Sequence, residues 1–311
     1  QLSFSLSYDP SSAIDDLLSA VAQWAGWLLA CLVLFGVPGY GFLLVAFRKE
    51  MPSLGSALGL SVGLGLSLHI VLLIWVNALG LHLGRHYVLI PCAISCTLAG
   101  LGLHDLRGHI SRLRAWGRSR AVWHDLTLFV LLGLVLSVRF LVIRTLHAPL
   151  WGDSVQHATI VQLILDNKGI FESWEPYAPF KTFTVHPGFH IITAVFAWLT
   201  RMSAVDATLV MGQLMNGLAV LTLYPLAERL SGGNRWVGVG AVLVGGLLSP
   251  MPAYYVNWGR YAQLAGQAIL PVALWFLVDA VEHKSPNRGH LILAGCTLAG
   301  MTLAYYRMPF F

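Results

Sequence analysis

From Met51 to Gly84 the chain runs without a single Asp, Glu, Lys or Arg, and runs of similar character recur along its length. Such a run suits a helix crossing a bilayer, whose hydrocarbon core of about 30 Å takes roughly 20 mostly apolar residues. The whole chain of 311 residues is 57% hydrophobic and 11% charged, whereas soluble domains carry roughly 25% charged residues. Soluble globular and disordered readings are therefore excluded, and the sequence predicts an all-α, polytopic transmembrane helix bundle. The cysteines, Cys31, Cys92, Cys96 and Cys296, lie inside apolar segments and form neither a disulfide framework nor a metal-ligand pattern. The chain opens at Gln1 and stops inside the apolar run Tyr305 to Phe311, which reads as part of a longer protein, truncated at the C-terminus.

Taking charged residues as boundaries predicts eight spans: Val21–Phe47, Leu54–Val76, Tyr87–Leu103, Leu126–Leu146, Val205–Ala227, Trp236–Val256, Ala262–Val281 and Leu291–Tyr306. The first is too long for a signal peptide, and Asp15 and Asp16 precede it where a basic region would stand. Lys and Arg in short loops mark the cytoplasmic side. Arg48 with Lys49, and Arg107, Arg112, Arg114, Arg118 and Arg120, therefore set the orientation. The net charge of +5 is an orientation signal, and no nucleic-acid partner is expected. Residues 1–124 read as three N-terminal spans ending in the basic loop 105–124, and residues 125–311 as the core. Residues 147–187 then form a long extracytoplasmic segment. The apolar stretch Pro187–Leu199 is too short for an easy crossing. Read as a re-entrant or tilted helix, it keeps Arg229, Arg235, Lys284 and Arg288 cytoplasmic and the turn Asn257–Gln263 outside. Counted as a full span, it reverses both.

Loops of this length usually have a function, and this one is dense in polar and aromatic side chains. Asp153 or Ser154 can cap a helix running to about Asn167 and ended by Gly169. Val155, Ala158, Val161, Gln162 and Leu165 would form one side of this surface amphipathic helix. Asp153, His157, Ile160 and Ile164 share another stripe, since residues four apart lie on one helix face. A cap is an equally good account of Asp153, and His157 alone reads as an interfacial polar residue. His157, His186 and His190 leave room for a divalent cation, although no ligand spacing marks a metal site. Inside the spans, Arg139 lies five residues deeper than Arg144 and needs an interior partner, water or a lipid groove to line. Gln213, Asn216, Gln263 and Gln267 suit packing. His69 reads as a buried hydrogen-bonding residue, and Gly59, Gly63 and Gly65 predict close helix contact.

The order of an apolar helix, an outer loop opening with WGDS at 151–154, an amphipathic helix and HPGFH at 186–190 resembles the GT-C type of integral-membrane glycosyltransferases that use lipid-linked sugars. LYPLAERLSGGNRWVGVGAVLVGGLLSP at 223–250 and NWGRYAQ at 257–263 are similar to its next helices and second outer turn, in a poorly characterised bacterial branch. The resemblance covers about Leu126 to Phe311. It implies that Asp153 is the base on the acceptor hydroxyl and that the donor is a polyprenyl-phosphate sugar, transferred with inversion to a glycan or lipid acceptor. It also implies a bacterial inner-membrane location with the site on the extracytoplasmic face. Arg260, with Lys181 or His186, would hold the phosphate. His157, Arg139, Trp258, Tyr261 and Gln263 complete the expected substrate-binding set, with the interfacial belt the alternative for the aromatic residues. The sequence departs from the family in lacking a second acid in NWGRYAQ, which weakens any case for a metal cofactor. Two other functions remain open: a transporter or flippase of a lipid-linked or anionic substrate, and a non-catalytic subunit of a membrane complex.

Overall fold

The computed structural model describes residues 10–47, 51–102, 121–181, 186–282 and 288–310, and every regular element among them is helical. Helix α1 (Pro10–Cys31) passes through a π-turn (Leu32–Gly36) into α2 (Val37–Ala46). After α3 (Leu54–Ala78), a 3-10 turn (Gly84–Val88) leads into α4 (Leu89–Gly102). Then come α5 (Ala121–Ile143), α6 (Gly152–Asp166), α7 (Pro187–Thr200), α8 (Ala204–Leu221) and α9 (Leu223–Leu230). The remainder is α10 (Arg235–Leu243) with a second π-turn (Val244–Leu248), α11 (Ala253–Asn257), α12 (Tyr261–Glu282) and α13 (Arg288–Ala304).

Among the described residues, 6 stretches are long and apolar enough to cross a membrane: Leu18–Ala46, Leu54–Ala78, Val122–Ile143, Ala204–Leu230, Arg235–Asn257 and Tyr261–Glu282. The protein is an all-α polytopic membrane protein. Two further expected spans are shorter helices, α4 with 14 residues and α13 with 17. The 3-10 turn takes the first residues expected in α4, and α13 ends where the chain bends to tuck Met308 against Gly266 of α12. The span α8–α9 is the best buried and therefore central, whereas α5 and α10 are the most exposed and face lipid.

Lipid supplies no hydrophobic drive between helices, so close packing holds them together. The glycines of α3 form one such seam. A Cβ on Gly65 would stand 1.9 Å from the Phe35 carbonyl oxygen, and one on Gly63 would stand 2.5 Å from Val272. Gly59 meets Pro225 in the same way. Helix α3, from the N-terminal part, thus packs both on α2 and on α12 of the C-terminal part. Both π-turns lie where a polar side chain meets a carbonyl inside the bundle. His69 Nε2 donates to Leu34 O at 2.7 Å, and Arg139 Nη2 donates to Gly246 O at 3.0 Å.

Charged side chains gather at one end of the bundle. Arg229 bonds Asp279 at 3.0 Å and Glu282 at 2.6 Å, and its guanidinium lies 4.6 Å over the Trp275 ring. Asp279 also meets His290 at 2.5 Å, and the His290 ring stacks on Phe47 at 4.3 Å. Glu228 accepts from Ser53 and Ser56 and pairs with Arg235 at 3.5 Å. The described ends of α2, α3, α9, α10, α12 and α13 therefore meet on the side to which the charge reading assigned Arg229, Arg235 and Arg288. The basic residues Arg48, Lys49, Arg107, Arg112, Arg114, Arg118, Arg120 and Lys284 lie outside the described residues.

Helix α7 does not reach this end. Its first turn packs on the far end of α13, where a Cβ on Gly188 would stand 2.5 Å from Ala304. Just beyond its last turn, Ala204 and Val205 line a hollow of about 270 Å³ together with Ala148, Pro149 and Ser154. Both ends of α7 therefore lie toward the end opposite the charged cluster, as the re-entrant reading requires. Eleven of its residues are buried, from Pro187 to Ala197.

The glycine seam yields a paired test. Gly65→Ala should lower stability by about 1–3 kcal/mol, the usual cost of overpacking. Gly295→Ala, where an added Cβ meets nothing within 4 Å, should leave it unchanged or slightly raised. Thermal unfolding in detergent reads both, and equal effects would refute the seam.

Candidate functional site

The site lies at the end opposite the charged cluster. The chain enters α6 through Trp151, held at φ 73, so Asp153 stands in the first helical turn. No side chain caps this helix: the N-cap is Trp151, and the Ser154 hydroxyl donates back to Leu150 O. The expected cap at Asp153 or Ser154 is thus corrected, and the Asp153 carboxylate is left for other partners.

Gly259 brings the second half of the site to the first. Its φ of +62 favours glycine, and a Cβ there would meet Ser154 Oγ at 3.0 Å and Asp153 Cβ at 3.2 Å. The next residue, Arg260, consequently lies beside the acid, with Nη1 3.9 Å from Asp153 Oδ2 and the two side chains 58% and 48% exposed. The pair is loose and open to solvent, so each member is free to meet a ligand.

One turn along α6, His157 faces inward. Its Nδ1 lies 2.8 Å from Nε2 of His190 on α7, with the rings stacked at 5.0 Å, and the Tyr261 ring stands edge-on at 5.3 Å. The Nδ1 of His190 is in turn 2.8 Å from His186 O, and His190 is 2% exposed. Burial pulls the His157 ring from an ordinary 6.5 down to about 4, against a Gly259 backbone hydrogen bond and Asp153, which favour charge, and with Arg260 and His186, which oppose it. Burial also holds His190 well below the usual histidine range, with His157 adding to the effect. His186 is lowered by burial and by Arg307. The His186 ring sits 4.6 Å from Tyr306 and 5.1 Å from Tyr305, and Arg307 Nε donates to Tyr306 OH at 3.0 Å. Tyr305, Tyr306 and Arg307 were not expected here, although the run YYR after an apolar helix was a signal for them.

Asp153, His157, Arg260, Tyr261 and His186 are thus brought together, and the other expected residues are not. Arg139 is engaged by Gly246 O. Gln263 donates to Tyr255 OH at 3.3 Å and Gln267 does so at 2.9 Å, which ties α11 to α12. Trp258 packs edge-on against Tyr254 at 4.6 Å. Lys181 is exposed, and among the described residues no ion pair joins it to the cluster. Trp174 is buried edge-to-face on Phe171. Helix α6 is covered on more than its expected side: Ala158 and Val161 of that side are buried and Val155 is 68% exposed, whereas Ile160, Leu163 and Ile164 of the other faces are buried as well. Its neighbours α7 and α8 cover two faces, not one. Asn77 holds the segment that follows, accepting from the Ile170 amide at 2.9 Å.

A divalent cation does not fit the histidines. The His157 and His190 nitrogens face each other instead of converging on a point, and among the described residues no three His, Cys, Asp or Glu side chains form a metal-binding group.

Residues 32–307 match a family described as a family of unknown function, DUF6541, and the chain belongs to that family. The match runs across the predicted division at residues 124 and 125. No curated protein and no solved structure matches the chain.

Because the folded His157 binds its proton more weakly than the free side chain, the unfolded chain holds more protons between about pH 4 and 6.5. Stability from this group is fully present above 6.5 and is lost as the pH falls toward 4. Melting temperatures in detergent should therefore decline across that window. His157→Gln should flatten the decline, and an unchanged slope would count against the assignment.

Proposed function

We propose that this DUF6541 member is an integral-membrane glycosyltransferase that uses a polyprenyl-phosphate sugar and works on the extracytoplasmic face with inversion. The observation that carries the reading is the exposed Asp153–Arg260 pair, with Nη1 and Oδ2 3.9 Å apart. A carboxylate and a guanidinium side by side, both reachable from solvent, supply the two functions that such a transfer needs.

Asp153 accepts the proton of the acceptor hydroxyl as that oxygen attacks the anomeric carbon. The bond from the sugar to the phosphate oxygen breaks, and the phosphate leaves with the electron pair. A phosphate is a good leaving group and needs charge stabilisation more than protonation, which Arg260 gives through paired donors. As the ligand's anion draws Arg260 toward itself, the Asp153 carboxylate is released to act as base. His157 stands behind the pair, one turn along α6, with Nδ1 on His190. The hollow beside Ser154, lined by Ala148, Pro149, Val155, Ala158 and Val205, offers an apolar surface beside the acid for the first prenyl units of the donor.

The reading is tested by transfer from radiolabelled polyprenyl-phosphate sugars in reconstituted vesicles. Asp153→Asn should lower kcat by about 10²–10⁴-fold, the usual contribution of a positioned base. Arg260→Ala should raise KM for the donor. Undiminished transfer by the Asp153 variant would remove the base and with it this function.

A further inference from the structure

The two stacked histidines pose a problem of proton counting. At one end His190 Nδ1 lies 2.8 Å from the His186 carbonyl oxygen, and in the middle His190 Nε2 lies 2.8 Å from His157 Nδ1. A carbonyl only accepts, so it fixes an N–H on His190 Nδ1, and the central gap has room for one N–H more. Two neutral imidazoles, with one N–H each, fill both places, and His157 Nε2 is the one ring nitrogen left for a further proton.

One added proton goes to His157 Nε2, and because the central proton can sit on either nitrogen of the gap, the single charge spreads over both rings. A second would set two N–H groups against each other in the middle. We propose that His157 and His190 form a single-proton site, taking up one proton jointly and never two.

Groups on each neighbouring element set its affinity. Asp153 on α6 favours loading, while Arg260 in the turn before α12 opposes it. His186, which precedes α7, opposes loading as well and is itself acted on by Arg307, beyond α13. Tyr261 and Phe189 present ring faces and edges without charge. Resting on the reading of Arg260 as the phosphate-holding group, the site has a coupling: an anion seated there cancels the nearest opposing charge, and the pair loads its proton as a phosphoryl-bearing ligand binds.

The test is ¹⁵N-histidine NMR of the detergent-solubilised protein from pH 7.5 to 4. Signals are assigned with His157→Gln and His190→Gln. Should either unfold the protein, the response to the exposed-site variants Arg260→Gln and Asp153→Asn assigns them instead. The expected result is one step with a common midpoint for both rings and a total of one proton. Arg260→Gln should move the midpoint up and Asp153→Asn should move it down. Inorganic phosphate should raise it in the wild type and not in Arg260→Gln, and farnesyl phosphate acting at lower concentration than inorganic phosphate would identify a lipid headgroup as the source. Two separate steps totalling two protons, or no proton gained by either ring, would overturn the site. A joint step that phosphate leaves unmoved supports the single-proton site and overturns the phosphate role of Arg260.

Discussion

In hydrocarbon no water is at hand to satisfy a backbone N–H or C=O, and each such group left alone costs several kcal/mol. That constraint decides which segments of this chain are helical and where a helix can depart from regularity. At each of the two π-turns a side chain from another helix answers a backbone carbonyl: His69 reaches Leu34 O and Arg139 reaches Gly246 O. A buried imidazole and a guanidinium in membrane helices usually point to function or pairing. Here both repair the backbone of an adjacent helix, and the irregularity and its remedy come from different parts of the sequence.

The helical architecture was legible because apolar runs between charges have a length set by the bilayer. The placement of α7 was legible for the same reason, since Pro187–Leu199 is too short to cross and the structure keeps both its ends toward one side. Helix α6 was found with nearly correct limits, whereas the covering of its faces was not legible. Spacing reveals which residues share a stripe and not how many neighbours will cover it: Ala158 and Val161 of the expected stripe are buried, while Val155 is exposed. Asp153, Arg260 and His157 were legible from residue type and local motif. His190 as the partner of His157 was not, because that contact depends on the angle at which α7 meets α6. Arg139 and Gln263 look like binding residues in sequence, yet their hydrogen bonds go to Gly246 and Tyr255, positions whose proximity only the fold reveals.

The two ends of the bundle differ in electrostatic character. At one, Arg229 is held by Asp279, Glu282 and the Trp275 ring, and Glu228 is held by Ser53, Ser56 and Arg235. These contacts join helix ends. At the other, Asp153 and Arg260 stand 3.9 Å apart with about half of each side chain in solvent. An ion pair of that exposure contributes little to stability. Charge that does not hold the fold together is available for a ligand.

The close fit of Gly259 against the first turn of α6 joins two segments more than a hundred positions apart in the chain. Because the carboxylate and the guanidinium stand on opposite sides of that contact, sliding either segment carries both groups along. The spacing between carboxylate and guanidinium is thereby insulated from rearrangements elsewhere in the bundle, as the gap between two blades is kept by the rivet that fastens them.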